Sequence, residues 1–202
     1  NNVGTRNVKV VTGELPGNGD GEILVGAHHD SVYISPGAVD NAVGVSQLLE
    51  VAAQLSDLEL ESTVTFATWG GEELGLLGSQ AYIMNNPDKM ENLDLYINLD
   101  STNLNPEEGL GTLGIESSNQ NLLDSISDIQ STVMDDKKWD DYDATVQLNE
   151  LQGNSDHRSF NQHGITTIGF YGWQYDEYHR QTDVPSVVNQ EGLGLTLSLI
   201  HI

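Results

Sequence analysis

The sequence predicts an α/β protein built from parallel βα units. Three observations carry that prediction. Strand-length runs rich in β-branched residues alternate along the chain with amphipathic runs of helical period. Some of the strand runs are continuously apolar, as expected where both faces of a sheet are covered. No internal repeat or low-complexity tract breaks the alternation, and 202 residues suffice for one domain with a sizeable core.

In chain order, "NVKVVTG" (Asn7–Gly13) reads as an edge strand turned by "LPGNGDGE". "EILVGA" (Glu22–Ala27) is a short apolar run and hence a buried strand. "VSQLLEVAAQL" (Val45–Leu55) places Val45, Leu48, Leu49, Ala52 and Leu55 on one helical stripe. "STVTFATW" (Ser62–Trp69) is strand, and "SQAYIMNN" (Ser79–Asn86) is a short helix ended by Pro87. "LDLYINLD" (Leu93–Asp100) is strand, "LLDSISDIQSTVM" (Leu122–Met134) helix and "ITTIGFYG" (Ile165–Gly172) strand. A last helix starts near Asn189. The acidic, weakly patterned segment Asp135–Asn154 reads as a long surface excursion within one domain spanning 1–202.

The two ends of the chain read as cuts. The first residues, "NNVGTRNVKVV", read as chain already under way. The last six, "LSLIHI" (Leu197–Ile202), resemble the translation of a transposon end, so His201 is given no functional weight.

Composition narrows the chemistry. Cysteine is absent, which excludes disulfides and thiolate metal sites and leaves His and carboxylates as the metal ligands. Acidic residues number 31 against 7 basic ones, a net charge of -24. Nucleic acid and anionic membrane are poor partners for such a surface, and no apolar run is long enough to span a bilayer. Most of the excess reads as a solvated acidic coat.

Ligands of open α/β sheets bind outside the carboxyl ends of the strands. There the chain repeatedly places groups that ligate metals. His28 follows Glu22–Ala27, Glu72 and Glu73 follow Ser62–Trp69, Asp100 ends its strand, and His179 lies a short loop beyond Ile165–Gly172. Asp40, in "GAVDNAVG", sits between the second strand and its helix. Taken singly, Asp40 could be a helix N-cap, and Glu72 and Glu73 could simply favour a helix dipole. Together, two imidazoles and several carboxylates at one sheet edge make a site for a pair of divalent ions. Zinc fits mixed N/O ligation; manganese or cobalt could substitute. In "VGAHHDSV", alternation along the strand points His28 and Asp30 one way and His29 the other, with Asp30 placed to accept the second ring N–H of His28.

The motifs "GAHHDSV", "GAVDNAVG", "FATWGGEELGLLGS", "YINLDST", "GNSDHRSF" and "EYHRQTD" resemble, in order and spacing, the zinc aminopeptidases of peptidase family M28, of the bacterial secreted leucine-aminopeptidase type. The resemblance runs from Asn7 to about Leu195. It implies a mixed, mostly parallel central sheet flanked by helices, with two Zn2+ ions at the strand ends. It further implies that Asp40 bridges the ions, that His28 and Asp100 complete one site, and that Glu73 and His179 complete the other. Glu72 would be the general base for a metal-activated water, Tyr178 a donor to the tetrahedral intermediate, Asp30 the support for His28, and the Asp40–Asn41 peptide cis. Peptide or protein N-termini would be the substrates, the protein a monomer, and the location secreted or periplasmic.

The chain departs from the family pattern at Asn154, where close relatives carry Arg, and in lacking the family's disulfide. His157 and His163 acquire no role and read as surface or packing residues. Competing readings are a carboxypeptidase or a single-zinc glutaminyl cyclase of the same superfamily, or a non-catalytic binding module on this scaffold. The full ligand set weighs against the last two.

Overall fold

The computed structural model describes residues 7–105, 112–148, 153–172 and 175–200. Among these residues the strands are β1 (Val10–Leu15), β2 (Glu22–His28), β3 (Thr63–Trp69), β4 (Leu95–Asp100), β5 (Thr112–Ser117), β6 (Asp143–Leu148) and β7 (Thr167–Gly172). The helices are α1 (Val43–Leu55), α2 (Leu77–Asn85), α3 (Pro87–Asn92), α4 (Gln120–Met134), α5 (His157–Asn161) and α6 (Gln190–Ile200). All seven strands form one mixed sheet in the order β1-β3-β2-β4-β7-β5-β6. The central four, β3, β2, β4 and β7, are parallel. β1 joins one edge antiparallel to β3, and the parallel pair β5–β6 joins the other, β5 running antiparallel to β7.

Side-chain alternation divides the sheet into two apolar faces. Val25, Ala27, Leu99, Ile115, Ile168 and Phe170 face one way and pack with Leu48 and Val51 of α1, Ile126 and Val133 of α4, and Leu195 and Leu199 of α6. α1 buries Val43, Gly44, Gln47, Leu48 and Val51; of the expected stripe, Leu48 is buried, Val45, Ala52 and Leu55 pack partly buried against this core, and Leu49 is exposed. Leu24, Trp69, Tyr96 and Phe160 build the opposite core. There Tyr96 stacks on Phe160 with centroids 3.9 Å apart, and the Trp69 indole N–H donates to the Tyr96 hydroxyl at 2.9 Å. A Cβ at Gly26 would collide with that hydroxyl and with the indole nitrogen, so β2 requires glycine there for this close approach.

Four features differ from the sequence expectations. The segment 135–154 is not merely a surface excursion: it carries β6, which extends the sheet beside β5. β5 itself was not expected, because Gly114 interrupts its short apolar run. Pro87 ends one helix and also begins another, since the first helical turn needs no proline N–H. α5 is only five residues long, too short for a periodic signal. Leu197–Ile200 lie in the last turn of α6, with Leu199 buried; His201 lies outside the described residues.

Candidate metal centre

β2 ends on His28, β4 ends on Asp100, and both are delivered to the same sheet edge. The loop from β2 to α1 supplies Asp40, the loop after β3 supplies Glu72 and Glu73, and the loop after β7 supplies His179. The fold thus converges these groups on one cleft. His28 Nε2 lies 3.0 Å from Asp40 Oδ1 and 3.4 Å from Asp100 Oδ1. His179 Nε2 lies 3.1 Å from Asp40 Oδ2 and 3.2 Å from Glu73 Oε2. The two carboxylate oxygens of Asp40 therefore face different imidazoles. His28–Asp40–Asp100 and Asp40–Glu73–His179 each have ligand atoms within 4.8 Å of one another.

The orientation of His28 is set locally. Its Nδ1 lies 3.0 Å from the backbone carbonyl of Asp30 and 3.7 Å from the Asp30 carboxylate. This corrects the expectation that the Asp30 side chain would receive the ring N–H: the main-chain oxygen is closer and does so. The Asp30 carboxylate instead accepts from the backbone N–H groups of Glu72, at 3.1 Å, and Glu73, at 3.3 Å. It braces the loop that presents both glutamates. His29 turns to the other face, exposed, with Nδ1 3.0 Å from the Thr68 hydroxyl.

Two residues that sequence reasoning missed hold Asp40 in place. The Asp40–Asn41 peptide is cis. The Asn41 amide donates to the Leu99 carbonyl at 2.9 Å, and its oxygen accepts from Gly44 N–H and Ser101 N–H, both at 3.1 Å. Asn41 thereby ties the end of β4 to the start of α1. Asp183 is fully buried and wraps the same loop from the other side. Its carboxylate accepts from Val39 N–H at 2.7 Å and Asp40 N–H at 3.2 Å, and its main-chain carbonyl from Ala38 N–H at 3.3 Å. Its motif neighbourhood, four residues after His179, was the only sequence signal available.

The electrostatics follow from crowding carboxylates in partial burial. Burial lowers the affinity of His28 for a proton, but Asp100, Asp30 and Asp40 outweigh it and raise its pKa well above the ordinary value. Burial likewise pushes Asp100 up, and His28 with the hydroxyls of Ser155 and Ser101 overrides it, holding the carboxyl at about 2. Glu72 is pushed up to about 8 by burial and by Asp100, Asp156 and Glu73, with His28 opposing. Tyr178 is exposed at the cleft, stacked on the His179 ring at 3.8 Å, and raised to about 12 by burial and the nearby carboxylates. Asp156 is fully buried, neither of its oxygens accepts a well-formed hydrogen bond among the described residues, and burial lifts it to about 7.

The donor set fits divalent zinc. With Nδ1–H of His28 given to a carbonyl, its Nε2 lone pair points at two carboxylate oxygens, an arrangement that demands a cation or a proton between them. On the other side, Glu73 Oε1 and His179 Nε2 are buried and find no hydrogen-bond partner among the described residues. The cleft continues into a cavity of about 810 Å³ that also takes in Glu116, Gln147, Asn154, His157, Tyr171, Tyr175 and Arg180. His157, expected at the surface or in packing, is buried and lines this cavity, 2.7 Å from Glu116. His163 is exposed, its Nδ1 2.7 Å from the Ser159 carbonyl.

Imidazoles and carboxylates gathered at the carboxyl ends of parallel strands, on an open α/β sheet, are an arrangement suited to holding divalent metal ions. Residues 10–201 match peptidase family M28, and the chain belongs to that family. It is 27% identical to leucine aminopeptidase 2 of Trichophyton rubrum over 91% of its length and 41% of that protein. It is 29% identical to a probable lipoprotein aminopeptidase, LpqL, of Mycobacterium tuberculosis, over 92% of its length and 42% of that protein. Among solved structures it resembles the zinc aminopeptidase BSAP of Bacillus subtilis, with a TM-score of 0.79 and 26% identity, covering 95% of this chain and 48% of that one. The chain thus spans less than half the length of these relatives.

Proposed function

We propose that this chain is the catalytic part of a co-catalytic di-zinc aminopeptidase that removes N-terminal residues from peptides. The observation that carries the reading is the pair of ligand groups sharing Asp40, with Glu72 beside them in one cleft. His28, Asp40 and Asp100 would hold one zinc, and Asp40, Glu73 and His179 the other. Bound there, the ions supply Lewis acidity and a water acidic enough to ionise near neutral pH.

The chain's own groups divide the remaining work. Glu72 takes a proton from the attacking water and returns it to the nitrogen of the leaving amine. Its raised pKa suits that exchange, and cationic charge in the site would draw it back toward neutrality. The Tyr178 hydroxyl stands at the cleft mouth and donates to the carbonyl oxygen as negative charge develops there. The carboxylate-rich walls receive the cationic amino terminus. Asn154 lines the cleft and offers the substrate a neutral amide there.

Activity as a monomer outside the cytoplasm belongs to the same proposal. The M. tuberculosis relative is named a lipoprotein, and no helix among the described residues is long and apolar enough to cross a membrane. The test compares release of p-nitroaniline from free and amino-blocked aminoacyl anilides, before and after chelation and with zinc restored. Chelator-sensitive cleavage of the free substrates alone is expected. Cleavage of blocked substrates, or none with zinc restored, would sink the reading.

A further inference from the structure

A file of buried polar groups runs from the core around Trp69 and Tyr96 to the candidate metal centre. Side chains alternate along β4, so Tyr96, Asn98 and Asp100 share one face of the strand. Tyr96 and Asn98 are buried, and Asn98 and Ser155 line the cleft beside Asp100. Hydrogen bonds join the file end to end. The Trp69 indole N–H, on β3, donates to the Tyr96 hydroxyl at 2.9 Å. That bond crosses β2 above Gly26, where any side chain would block it. The Tyr96 hydroxyl donates to Asn98 Oδ1 at 2.7 Å, and Asn98 Nδ2 donates to the Ser155 hydroxyl at 3.0 Å. Ser155, just before α5, hydrogen-bonds the Asp100 carboxylate.

The chemistry of the groups fixes the proton on every link. An ionised Asp100 can only accept, so Ser155 gives its single proton there. Ser155 must then accept from Asn98, which turns the amide nitrogen toward Ser155 and the amide oxygen toward Tyr96. Tyr96 gives its proton to that oxygen and accepts from Trp69, whose indole can only donate. Every bond therefore points toward Asp100. Bonds aligned head to tail polarise one another, most of all in a low-dielectric interior. Packing does not call for this arrangement: apolar residues at 96 and 98 would fill the same space without the cost of burying polar atoms.

We infer that Tyr96, Asn98 and Ser155 are positioning residues for Asp100, fixing its carboxylate in the orientation that a metal ion beside His28 requires. The inference rests on the di-zinc reading. It makes the ligand-bearing end of β4 continuous with the interior: Ser101 gives Asp100 Oδ1 a local bond at 3.2 Å, while the file anchors the same carboxylate to the aromatic core.

The test measures zinc affinity by titration against a competing chelator, with the stability of metal-free protein followed separately by thermal unfolding. Ser155→Ala removes the last link and should weaken one of the two zinc ions by about 10–100-fold. Tyr96→Phe keeps the ring and its stacking on Phe160 but deletes a hydroxyl whose residue lies roughly 13 Å along β4 from Asp100. It should weaken the same ion by at least about twofold. In the double variant the two losses should not add, because a file cut at its last link transmits nothing from Tyr96. A merely structural Tyr96 would lower the melting temperature and leave zinc affinity unmoved. Zinc bound as tightly by either single variant as by wild type, or losses that add, overturns the inference. If Tyr96→Phe does not fold, Asn98→Ala takes its place in the cycle with the same expectations. Wild type that binds no zinc overturns the di-zinc reading and this inference with it; wild type that binds two ions, with the variants unmoved, overturns the inference alone.

Discussion

Replacing Asp183 with alanine tests how the Asp40 carboxylate, proposed to bridge two ions, is held. Asp183 is buried, and its side chain is the acceptor for Val39 N–H at 2.7 Å and Asp40 N–H at 3.2 Å; the hydroxyls of Ser35 and Tyr175 lie at 3.5 Å. Hydrogen bonds to a charged acceptor contribute about 1.5–3 kcal/mol each. Losing the two short ones gives a gross cost of about 3–6 kcal/mol. Relief from burying the carboxylate offsets part of it, leaving a net destabilisation of about 3–4 kcal/mol. For a chain of this size, that lowers the melting temperature by roughly 10 °C. Asp183→Asn keeps one acceptor oxygen and should lose about half as much. The Asp40 loop would also be free to shift, and losing an outer support of a metal ligand typically weakens metal binding by about 10–100-fold. Thermal unfolding of metal-free protein and zinc titration against a competing chelator measure the two effects separately. A melting temperature within about 2 °C of wild type, with zinc bound as tightly, would refute the argument that Asp183 holds Asp40.

The two adjacent histidines should separate cleanly. His28→Ala should abolish activity and lower the zinc content, whereas His29→Ala, at an exposed position, should cost under about 0.5 kcal/mol in stability and leave most of the activity. Equal losses would show that the facing of β2 is misassigned. Asp30→Ala should lower kcat by about 10–100-fold while zinc still binds at His28, because the main-chain carbonyl holds that ring and the carboxylate braces the glutamate loop. Loss of the zinc beside His28, measured by metal analysis, would contradict this assignment. Asp156 gives a pH prediction for metal-free protein. Its folded pKa of about 7 lies above the ordinary carboxyl value of 3.8, so its penalty is absent below about pH 4, grows as pH rises and is complete above about 7. Asp156→Asn should therefore stabilise the protein by about 2–4 kcal/mol at pH 8 and by little at pH 4, read from denaturant midpoints. A gain of the same size at both pH values would rule out titration of Asp156 as its source.

How far the structure could be read from sequence depended on the range of each interaction. The buried strands β2, β3, β4 and β7 and the helices α1 and α4 were legible because each carries its own periodicity over enough residues. β6 was not: "DATVQL" is half-exposed at the sheet edge, and its identity as a strand comes from pairing with β5 about thirty residues earlier. The candidate ligands were legible for a different reason. Metal sites draw on few residue types, and parallel strands send their following residues to one edge. The role of Asp30 was misread, because choosing between its carboxylate and its carbonyl as the acceptor for His28 turns on a difference of less than 1 Å.

By itself, then, the sequence determined the α/β class, the candidate ligands at the strand ends and the exclusion of thiolate chemistry, since periodicity, strand direction and composition are local properties of the chain. Tertiary structure alone decided that Asp40 faces two imidazoles at once, that Asp183 clamps it from 143 positions away, and that His157 meets Glu116 in the wall of the cavity. Those contacts bring together residues far apart in the chain, and their geometry exists only once the sheet has set the register of its strands.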